Sequence, residues 1–325
     1  MYINKKWTLL ILVLLFSQQI FSFEKTGSTS FQFLKVYPGA RASAMAGAFS
    51  SVGDNSEAVF YNPASLTSVR GFDASASYVN WFLDIKHYSF SAAYSLDSWG
   101  TFGLQGMFTD VGDIEVTRVD RLGFIGSKYN PGLTGETIRP NAGVFGLSYA
   151  LDLTDRFAFG LTAKYAYDNL QVAKAGTIAF DGGLVFRTGF RTLQIAATVR
   201  HFGPDVKYLD AGKSYPLPQT FNIGISGHLL NASNPLLMTS EDHDLLLSYD
   251  MVQPRDFDQQ HVVALEYSFR NMLYLRGGYN FNGEQEKAAL GVGIKQSGVR
   301  IDYSYNNYGE FLNSVHRITI GVEVN

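Results

Sequence analysis

Residues 38–66 read PGARASAMAGAFSSVGDNSEAVFYNPASL, and this stretch decides how the rest of the chain is interpreted. It is rich in Ala, Gly and Ser, and its apolar residues follow no two-residue period. From residue 71 onward, by contrast, apolar and polar residues alternate in one segment after another. An irregular, small-residue segment ahead of a long series of alternating strands is typical of a plug that precedes a transmembrane β-barrel.

The alternating segments predict fourteen β-strands. In 299–309, Val299 and Ile301 share one face of the strand, whereas Arg300 and Asp302 share the other. Many segments are long enough for a tilted strand to cross a bilayer, and strands of soluble proteins are about half as long. The predicted strands lie at 71–80, 84–96, 99–110, 140–153, 156–168, 173–188, 191–203, 218–229, 244–252, 260–270, 273–283, 287–296, 299–309 and 314–324.

The lengths of the connections favour a membrane barrel over a soluble β-sandwich, which would show the same alternation. Short turns such as 97–98 and 297–298 alternate with longer connections such as 111–139. Outer-membrane barrels have short periplasmic turns and longer outer loops. The connection 230–243 is long, although its place in the order predicts a periplasmic turn. We therefore predict an all-β fold, a transmembrane antiparallel β-barrel of about 14 strands over residues 70–325.

The composition agrees with a barrel that exposes one face to lipid. The 325 residues are 46% hydrophobic and only 17% charged, with 25 Phe, 19 Tyr and 32 Gly. Disordered chains have few aromatic residues and high charge. The net charge of −3 offers no basic surface, so we predict no nucleic-acid partner. The absence of Cys excludes disulfides, thiolate metal sites and a Cys nucleophile.

Residues 1–22 predict a signal peptide. Lys5 and Lys6 precede the apolar run LLILVLLF, which is too short to span a bilayer. Ser22 is a small residue suited to cleavage, and an uncleaved anchor helix is the alternative. The predicted location is the bacterial outer membrane, with its lipid in contact with the barrel.

Residues 23–69 are predicted to form an N-terminal segment that lies in the barrel lumen as a hatch. Small residues at 39–49 favour a short helix that packs closely, and Glu57 lies near the start of a second helical turn. Asn62 and Pro63 are a turn signal, because Pro restricts φ and Asn bonds its own backbone. The candidate hatch and gating residues are Gly39, Ala40, Arg41, Asp54, Asn62, Pro63 and Ala64.

The same segment carries a family resemblance. The block FQFLKVYPGARASAMAGAF at 31–49, followed by Asp54 and by AVFYNPASL at 58–66, resembles the N-terminal signature of the PorV/PorQ family of outer-membrane proteins. That family is similar to the FadL-type transporters, fourteen-stranded barrels whose Asn-Pro-Ala lies in an N-terminal hatch. The resemblance implies that Asn62, Pro63 and Ala64 belong to such a hatch.

Charged residues on the predicted inward faces are the other candidates for function. They can line a transport path or bind a polar headgroup, or they can pair with one another and anchor the hatch. The candidate lumen-lining residues are Lys164, Arg200, Glu266, Arg276, Arg300, Asp302, Arg317 and Glu323.

The sequence contains no catalytic constellation and no phosphate-binding motif. We therefore predict a protein that is not an enzyme and that binds no cofactor or metal. The run Glu-Asp-His-Asp at 241–244 has oxygen ligands of the kind that calcium prefers. Its surroundings lack the other features of a calcium loop, so it is predicted to be a solvated turn.

The resemblance implies two functions. In the first, the protein is a type IX secretion accessory that binds secreted cargo or a secretion-machinery barrel, and the short length of the chain favours this role. In the second, it is a FadL-like transporter that admits a long-chain fatty acid or another hydrophobic ligand as the hatch moves. A structural anchor in the outer membrane is the third hypothesis.

Overall fold

The computed structural model describes residues 27–208, 212–283, 287–308 and 314–324. The predicted signal peptide and its cleavage position near Ser22 lie outside these residues. The strands are β1 (Phe72–Asn80), β2 (Lys86–Ser95), β3 (Thr101–Asp110), β4 (Ile114–Ile125), β5 (Lys128–Ile138), β6 (Asn141–Thr154), β7 (Phe157–Asn169), β8 (Lys174–Arg187), β9 (Gln194–Phe202), β10 (Thr220–Asn231), β11 (Met238–Thr239), β12 (His243–Pro254), β13 (Gln260–Phe269), β14 (Leu273–Asn280), β15 (Ala288–Gln296), β16 (Val299–Asn307) and β17 (Ser314–Val324).

All strands except β4, β5 and β11 form one closed antiparallel barrel of 14 strands, as the sequence predicts. Neighbouring strands pair in order around the wall, β9 pairs with β10, and β17 pairs with β1 from Val324↔Phe72 to His316↔Asn80. Closure leaves no free sheet edge. The backbone N–H and C=O groups of the wall therefore find partners within the barrel, as a lipid environment requires.

Side chains alternate across the wall with the apolar face outward. In β16, Ile301 and Tyr303 are exposed, whereas Arg300 and Asp302 are buried in the interior. In β15, the outward Leu290 is 62% exposed. A soluble protein buries most of its large aliphatic residues. The exposed apolar face therefore marks a lipid-facing surface, and the β-sandwich alternative is wrong.

Two predicted connections contain strands. The predicted loop 111–139 folds into a hairpin of β4 and β5, which among the described residues forms a sheet separate from the barrel. Its register shifts between Glu115 and Thr117 and again between Thr117 and Leu122, and both of its faces are largely exposed. Because neither face is buried, the alternation that signals a strand is weak there. The predicted turn 230–243 contains β11, which pairs in parallel with β10.

The N-terminal part consists of short helical turns. The helix predicted over 39–49 is limited to its first half, because the backbone turns at Ala46 and Gly47, which have φ of 51° and 85°. Within the described residues, no helix is long and apolar enough to cross a membrane. The helices are α1 (Ala40–Ala44) and the 3-10 helices Gln32–Lys35, Ser56–Phe60, Pro63–Ser68, Phe82–Asp84 and Asp97–Trp99.

Residues 29–69, which we call the lumenal segment, pack inside the barrel and form its core with the inner wall. Met45 and Phe49 belong to a buried apolar cluster with Val262 of β13. Farther along the segment, Leu66 packs in a second cluster against the wall. Small residues allow this segment to fill a narrow space at the density of a protein interior.

Candidate functional site

The inner wall has recesses that receive the lumenal segment. At Gly160 of β7, a Cβ atom would lie 2.3 Å from the backbone N of Ala64. At Gly183 of β8, it would lie 2.0 Å from Oδ1 of Asn62. Only glycine leaves room for so close an approach of the Asn-Pro-Ala turn. The predicted hatch residues of the Asn-Pro-Ala turn therefore lie directly against the wall.

Asn62 fastens this turn in two ways. Its Oδ1 accepts a hydrogen bond of 3.0 Å from the N–H of Ala64 and caps the 3-10 helix that begins at Pro63. Its Nδ2 donates to the carbonyl oxygens of Ser50, at 2.7 Å, and of Leu184 in β8, at 3.3 Å. Asn62 is fully buried. The side chain thus joins two parts of the lumenal segment to the barrel wall.

A chain of buried charges links the lumenal segment to three strands. Arg41 of α1 donates two hydrogen bonds of 2.7 Å to Glu266 of β13. Glu266 also accepts from Arg276 of β14 at 2.5 Å, and Arg276 donates to Asp302 of β16 at 2.5 Å. Arg41 also pairs with Asp54, whose side chain is 56% exposed. Burial disfavours the charge of Arg41, but Asp54 and Glu266 raise its pKa well above the usual value.

Two further predicted lumenal residues, Arg300 and Arg317, hold the lumenal segment from the last two strands of the barrel. Arg300 of β16 binds both carboxylate oxygens of Asp73 in β1, at 2.5 and 2.9 Å, and Asp73 accepts a hydrogen bond of 2.8 Å from the N–H of Ser56. Arg317 of β17 donates to the carbonyl oxygen of Tyr37 at 3.0 Å. Asp73, held by Arg300, and Arg317 thus anchor the lumenal segment to the wall at two separate points, Ser56 and Tyr37.

Gly39 and Ala40 lie where the segment meets β17. The N–H of Ala40 donates to Oγ1 of Thr319 at 2.9 Å. A Cβ atom at Gly39 would lie 2.0 Å from Oε2 of Glu57. The side chain of Asn55, rather than that of Glu57, accepts the helix-start hydrogen bond, at 3.0 Å. Burial raises the pKa of Glu57 to about 7.

The remaining predicted lumenal charges lie apart from this network. Nζ of Lys164 in β7 lies 2.6 Å from both carboxylate oxygens of Asp181 and 2.8 Å from Nδ1 of His201. Sequence reasoning missed Asp181, although the alternation in β8 places it on the buried face. Glu323 pairs with Lys295 at 2.6 Å, and both side chains are partly exposed. Glu323 thus lies at the rim of the barrel, not among the buried lumenal charges.

A cavity of about 800 Å³ lies between the start of the lumenal segment and one end of the barrel. Its wall includes residues from the connections after β1, β3, β7, β9, β12, β14 and β16, which are on the side with the longer connections. We call this side the long-loop end. The volume is in the range of small-molecule sites. The aromatic residues of the wall are Phe31, Phe33, Tyr37, Trp81, Phe82, Tyr208, Tyr215, Phe257 and Tyr308.

Polar and charged side chains also line the cavity, although most of its lining surface is apolar. Arg200 of β9 is only 8% exposed and donates to the carbonyl oxygen of Phe60 at 3.2 Å, while its Nε has no hydrogen-bond partner among the described residues. Asp256 accepts hydrogen bonds from Lys35 at 2.5 Å and Thr29 at 2.6 Å. Burial alone would raise the pKa of Asp256, but these hydrogen bonds lower it. The cavity can therefore accept an apolar molecule and offers a cation to a polar end.

The acidic run at 241–244 does not converge on a common centre. Asp242 pairs with Arg270 at 2.8 Å, and Asp244 pairs with His228 at 2.6 Å. Across the described part of the chain, no group of three or more His, Cys, Asp or Glu residues is placed to hold a metal ion.

The structure is similar to solved structures of hydrocarbon transporters. The Pseudomonas putida toluene transporter TodX matches with a TM-score of 0.59 and 13% identity, over 88% of this chain and 98% of that chain. The CymD monoaromatic hydrocarbon channel matches with a TM-score of 0.54 and 11% identity, over 89% of this chain and 98% of that chain. At such identities the likeness shows the fold: the chain is a transmembrane β-barrel of the outer-membrane kind.

The sequence comparisons add no family. No protein-family model matches the chain, and no curated protein matches it. The predicted relationship to the PorV/PorQ family therefore has no support from either comparison.

Proposed function

We propose that the protein is a FadL-like transporter that admits a hydrophobic small molecule through the bacterial outer membrane. The observation that carries the proposal is the cavity of about 800 Å³ at the long-loop end, which has a mostly apolar wall with nine aromatic residues and ends at the lumenal segment. Small-molecule sites are typically concave and apolar, with a few orienting polar groups. The structural neighbours, a toluene transporter and a monoaromatic hydrocarbon channel, support the same class of cargo and favour it over the type IX role.

The steps follow from the position of the cavity. A hydrophobic molecule enters from the long-loop end and displaces water from the apolar parts of the wall, which favours binding by burial of apolar surface. Arg200 and Lys35 orient a polar end if the molecule has one. Passage farther into the lumen requires the lumenal segment to shift, and the contacts of Arg41 and Asn62 hold the closed arrangement. No enzymatic step is involved.

Tryptophan fluorescence tests binding, because two Trp residues of the described chain lie in different surroundings. Trp81 is in the cavity wall, whereas Trp99 is 78% exposed. The purified protein is titrated in detergent with toluene and, separately, with oleate. We expect a saturable change of Trp emission that the Trp99→Phe variant retains and the Trp81→Phe variant loses.

The absence of a saturable change with either probe would contradict the proposal. So would a change that follows Trp99, because that residue lies in the turn between β2 and β3, at the opposite end of the barrel from the cavity. Uptake of radiolabelled oleate and toluene into proteoliposomes then tests passage. Vesicles containing the protein are expected to load faster than empty vesicles.

The sequence block at 31–49 supports a second candidate, the type IX secretion accessory that binds cargo or a secretion-machinery barrel. This role predicts that a large secretion barrel or a secreted protein copurifies with the chain, and that type IX secretion genes occur in the source genome. A structural anchor, the third candidate, predicts neither such partners nor hydrophobic ligands.

A further inference from the structure

Glu57 is a buried carboxylate without a partner. It is 1% exposed, and neither of its carboxylate oxygens has a hydrogen-bond partner among the described residues. One of these oxygens lies against Gly39, where a Cβ atom would come within 2.0 Å of it. An ionised carboxylate buried in this way costs a large free energy unless it is paired. Glu57 therefore needs either a cation or a proton.

The cations around Glu57 already have partners. The charged groups that face it are Arg300 and Asp302 on β16, Arg41 on α1 and Asp73 on β1. Arg41 is bound to Glu266, and Arg300 is bound to Asp73.

Among the described residues, the buried ion pairs around Glu57 leave no cation free to neutralise it. The buried ion pairs of this network join three guanidinium groups to three carboxylates, so their charges cancel within the described residues. Asp54 also touches the network, but it is 56% exposed and solvent screens its charge. Ionised Glu57 would be a fourth buried anion without a cation of its own. The members of the network are Arg41, Arg276, Arg300, Asp73, Glu266 and Asp302.

We infer that Glu57 is a proton-binding site that holds the lumenal segment inside the barrel. The packed segment carries Glu57 as a neutral acid. When the proton leaves for water, the carboxylate gains hydration only if the turn around Ser56–Phe60 moves away from Gly39 and the wall. Loss of the proton therefore favours release of the segment. The inference concerns the segment itself and holds whatever molecule the barrel carries.

The raised pKa of Glu57 sets how packing of the lumenal segment depends on pH. Burial raises the pKa of Glu57 from 4.5 to about 7, so the packed segment keeps a proton that a released segment would lose. Tyr61, which follows the same turn, stays neutral because burial raises its pKa as well. Packing is strongest below about pH 4.5 and weakens about tenfold per pH unit up to about pH 7. The total change is about 300-fold, and no further loss is expected above pH 7.

The chain contains no Cys, so a single introduced thiol can report release of the segment. Ser51 lies in the lumenal segment and is 1% exposed. The full chain with Ser51→Cys is labelled with a maleimide in detergent at pH 5 to 8. The labelling rates are divided by those of the Ser98→Cys variant, whose thiol is exposed in a short turn. This division corrects for the ionisation of the thiol, which by itself makes labelling faster at higher pH.

We expect the normalised rate to rise about tenfold per pH unit between pH 5 and 7 and then to level off. Glu57→Gln, which imitates the neutral acid, should lose most of this rise. Any dependence that remains is assigned to Asp250 of β12, a second buried carboxylate, which accepts a hydrogen bond of 3.1 Å from the N–H of Ser50. Asp155→Asn removes an exposed carboxylate from a short turn outside the lumenal segment and should keep the profile of the parent. Heat-modifiable migration in gel electrophoresis confirms that each barrel is folded.

A flat profile in the parent, or an unchanged slope in Glu57→Gln, would overturn the inference. If Glu57→Gln does not fold, infrared spectroscopy of the parent decides instead. The carboxylic C=O band of a buried acid must then be present at pH 6 and absent at pH 8.5. Ligand binding at Trp81 is a separate readout, so failure here leaves the transport proposal standing, and the reverse also holds.

Discussion

Replacing Arg41 by Ala is the most direct perturbation of the contacts that hold the lumenal segment. It removes two hydrogen bonds of 2.7 Å to the buried Glu266. Removing one partner of a buried ion pair costs about 3–5 kcal/mol, because the other charge loses its compensation. Glu266 keeps its hydrogen bond to Arg276, so we expect the lower end, about 3 kcal/mol. The equilibrium constant for opening of the segment should then rise about 100-fold.

Hydrogen exchange measured by mass spectrometry reads this opening directly, since it reports the free energy of local unfolding. In the Arg41→Ala variant, peptides from 38–66 should exchange about 100-fold faster than in the parent. Peptides from the barrel strands should be unchanged. The matched control is Arg118→Ala, which breaks an Arg–Glu pair whose side chains are 58% and 64% exposed and which should leave 38–66 protected.

Two results would refute this reasoning. Unchanged exchange in 38–66 would show that apolar packing alone holds the segment. Equal loss of protection in the wall strands would show that Arg41 stabilises the whole barrel, not the docking of the segment.

Three more changes test the closed arrangement. In Gly183→Val the new side chain meets Asn62, because a Cβ atom would lie 2.0 Å from its Oδ1. The closed arrangement should then be disturbed, and ion conductance in planar bilayers should rise. The control Gly182→Val, where the nearest atom to a Cβ is 3.7 Å away, should leave conductance unchanged. Asn62→Ala should cost about 1–2 kcal/mol through the lost cap and hydrogen bonds, seen as faster exchange in 56–68, and unchanged exchange would contradict its role. Acidification acts in the opposite direction to Glu57 at Asp256, whose pKa is lowered by hydrogen bonding despite burial. Its bond to Lys35 should be complete above about pH 4 and lost as the pH falls further. In the parent, the start of the segment should therefore lose protection from hydrogen exchange in acid. In Asp256→Asn, which lacks the carboxylate, this protection should not depend on acid.

The barrel strands could be predicted from sequence because lipid on one face and the lumen on the other impose a two-residue period on each strand. The hairpin of β4 and β5 could not be predicted in the same way. Residues such as Val119 and Phe124, at 83% and 73% exposure, meet no core on either face. Without a buried face, nothing in the sequence enforces alternation.

The candidate site was predictable only in part. Alternation alone predicts that Arg276, Arg300 and Asp302 point inward, and all three are buried in the structure. Their partners were not predictable, because Asp73 and Asp181 become important only through the strands that lie beside them. The cavity was also missed, since its wall combines side chains from connections far apart in the chain.

By itself, the sequence determined which residues face lipid and which face the lumen, because the two-residue period is a local property of each strand. It also marked the small-residue stretch at 38–66 as the part that does not belong to the wall. Only the tertiary structure decided which lumenal charges meet and that Glu57 is left without a cation. Those contacts join residues as distant as Arg41 and Glu266, 225 positions apart, and their separation in space depends on the register and closure of the whole barrel.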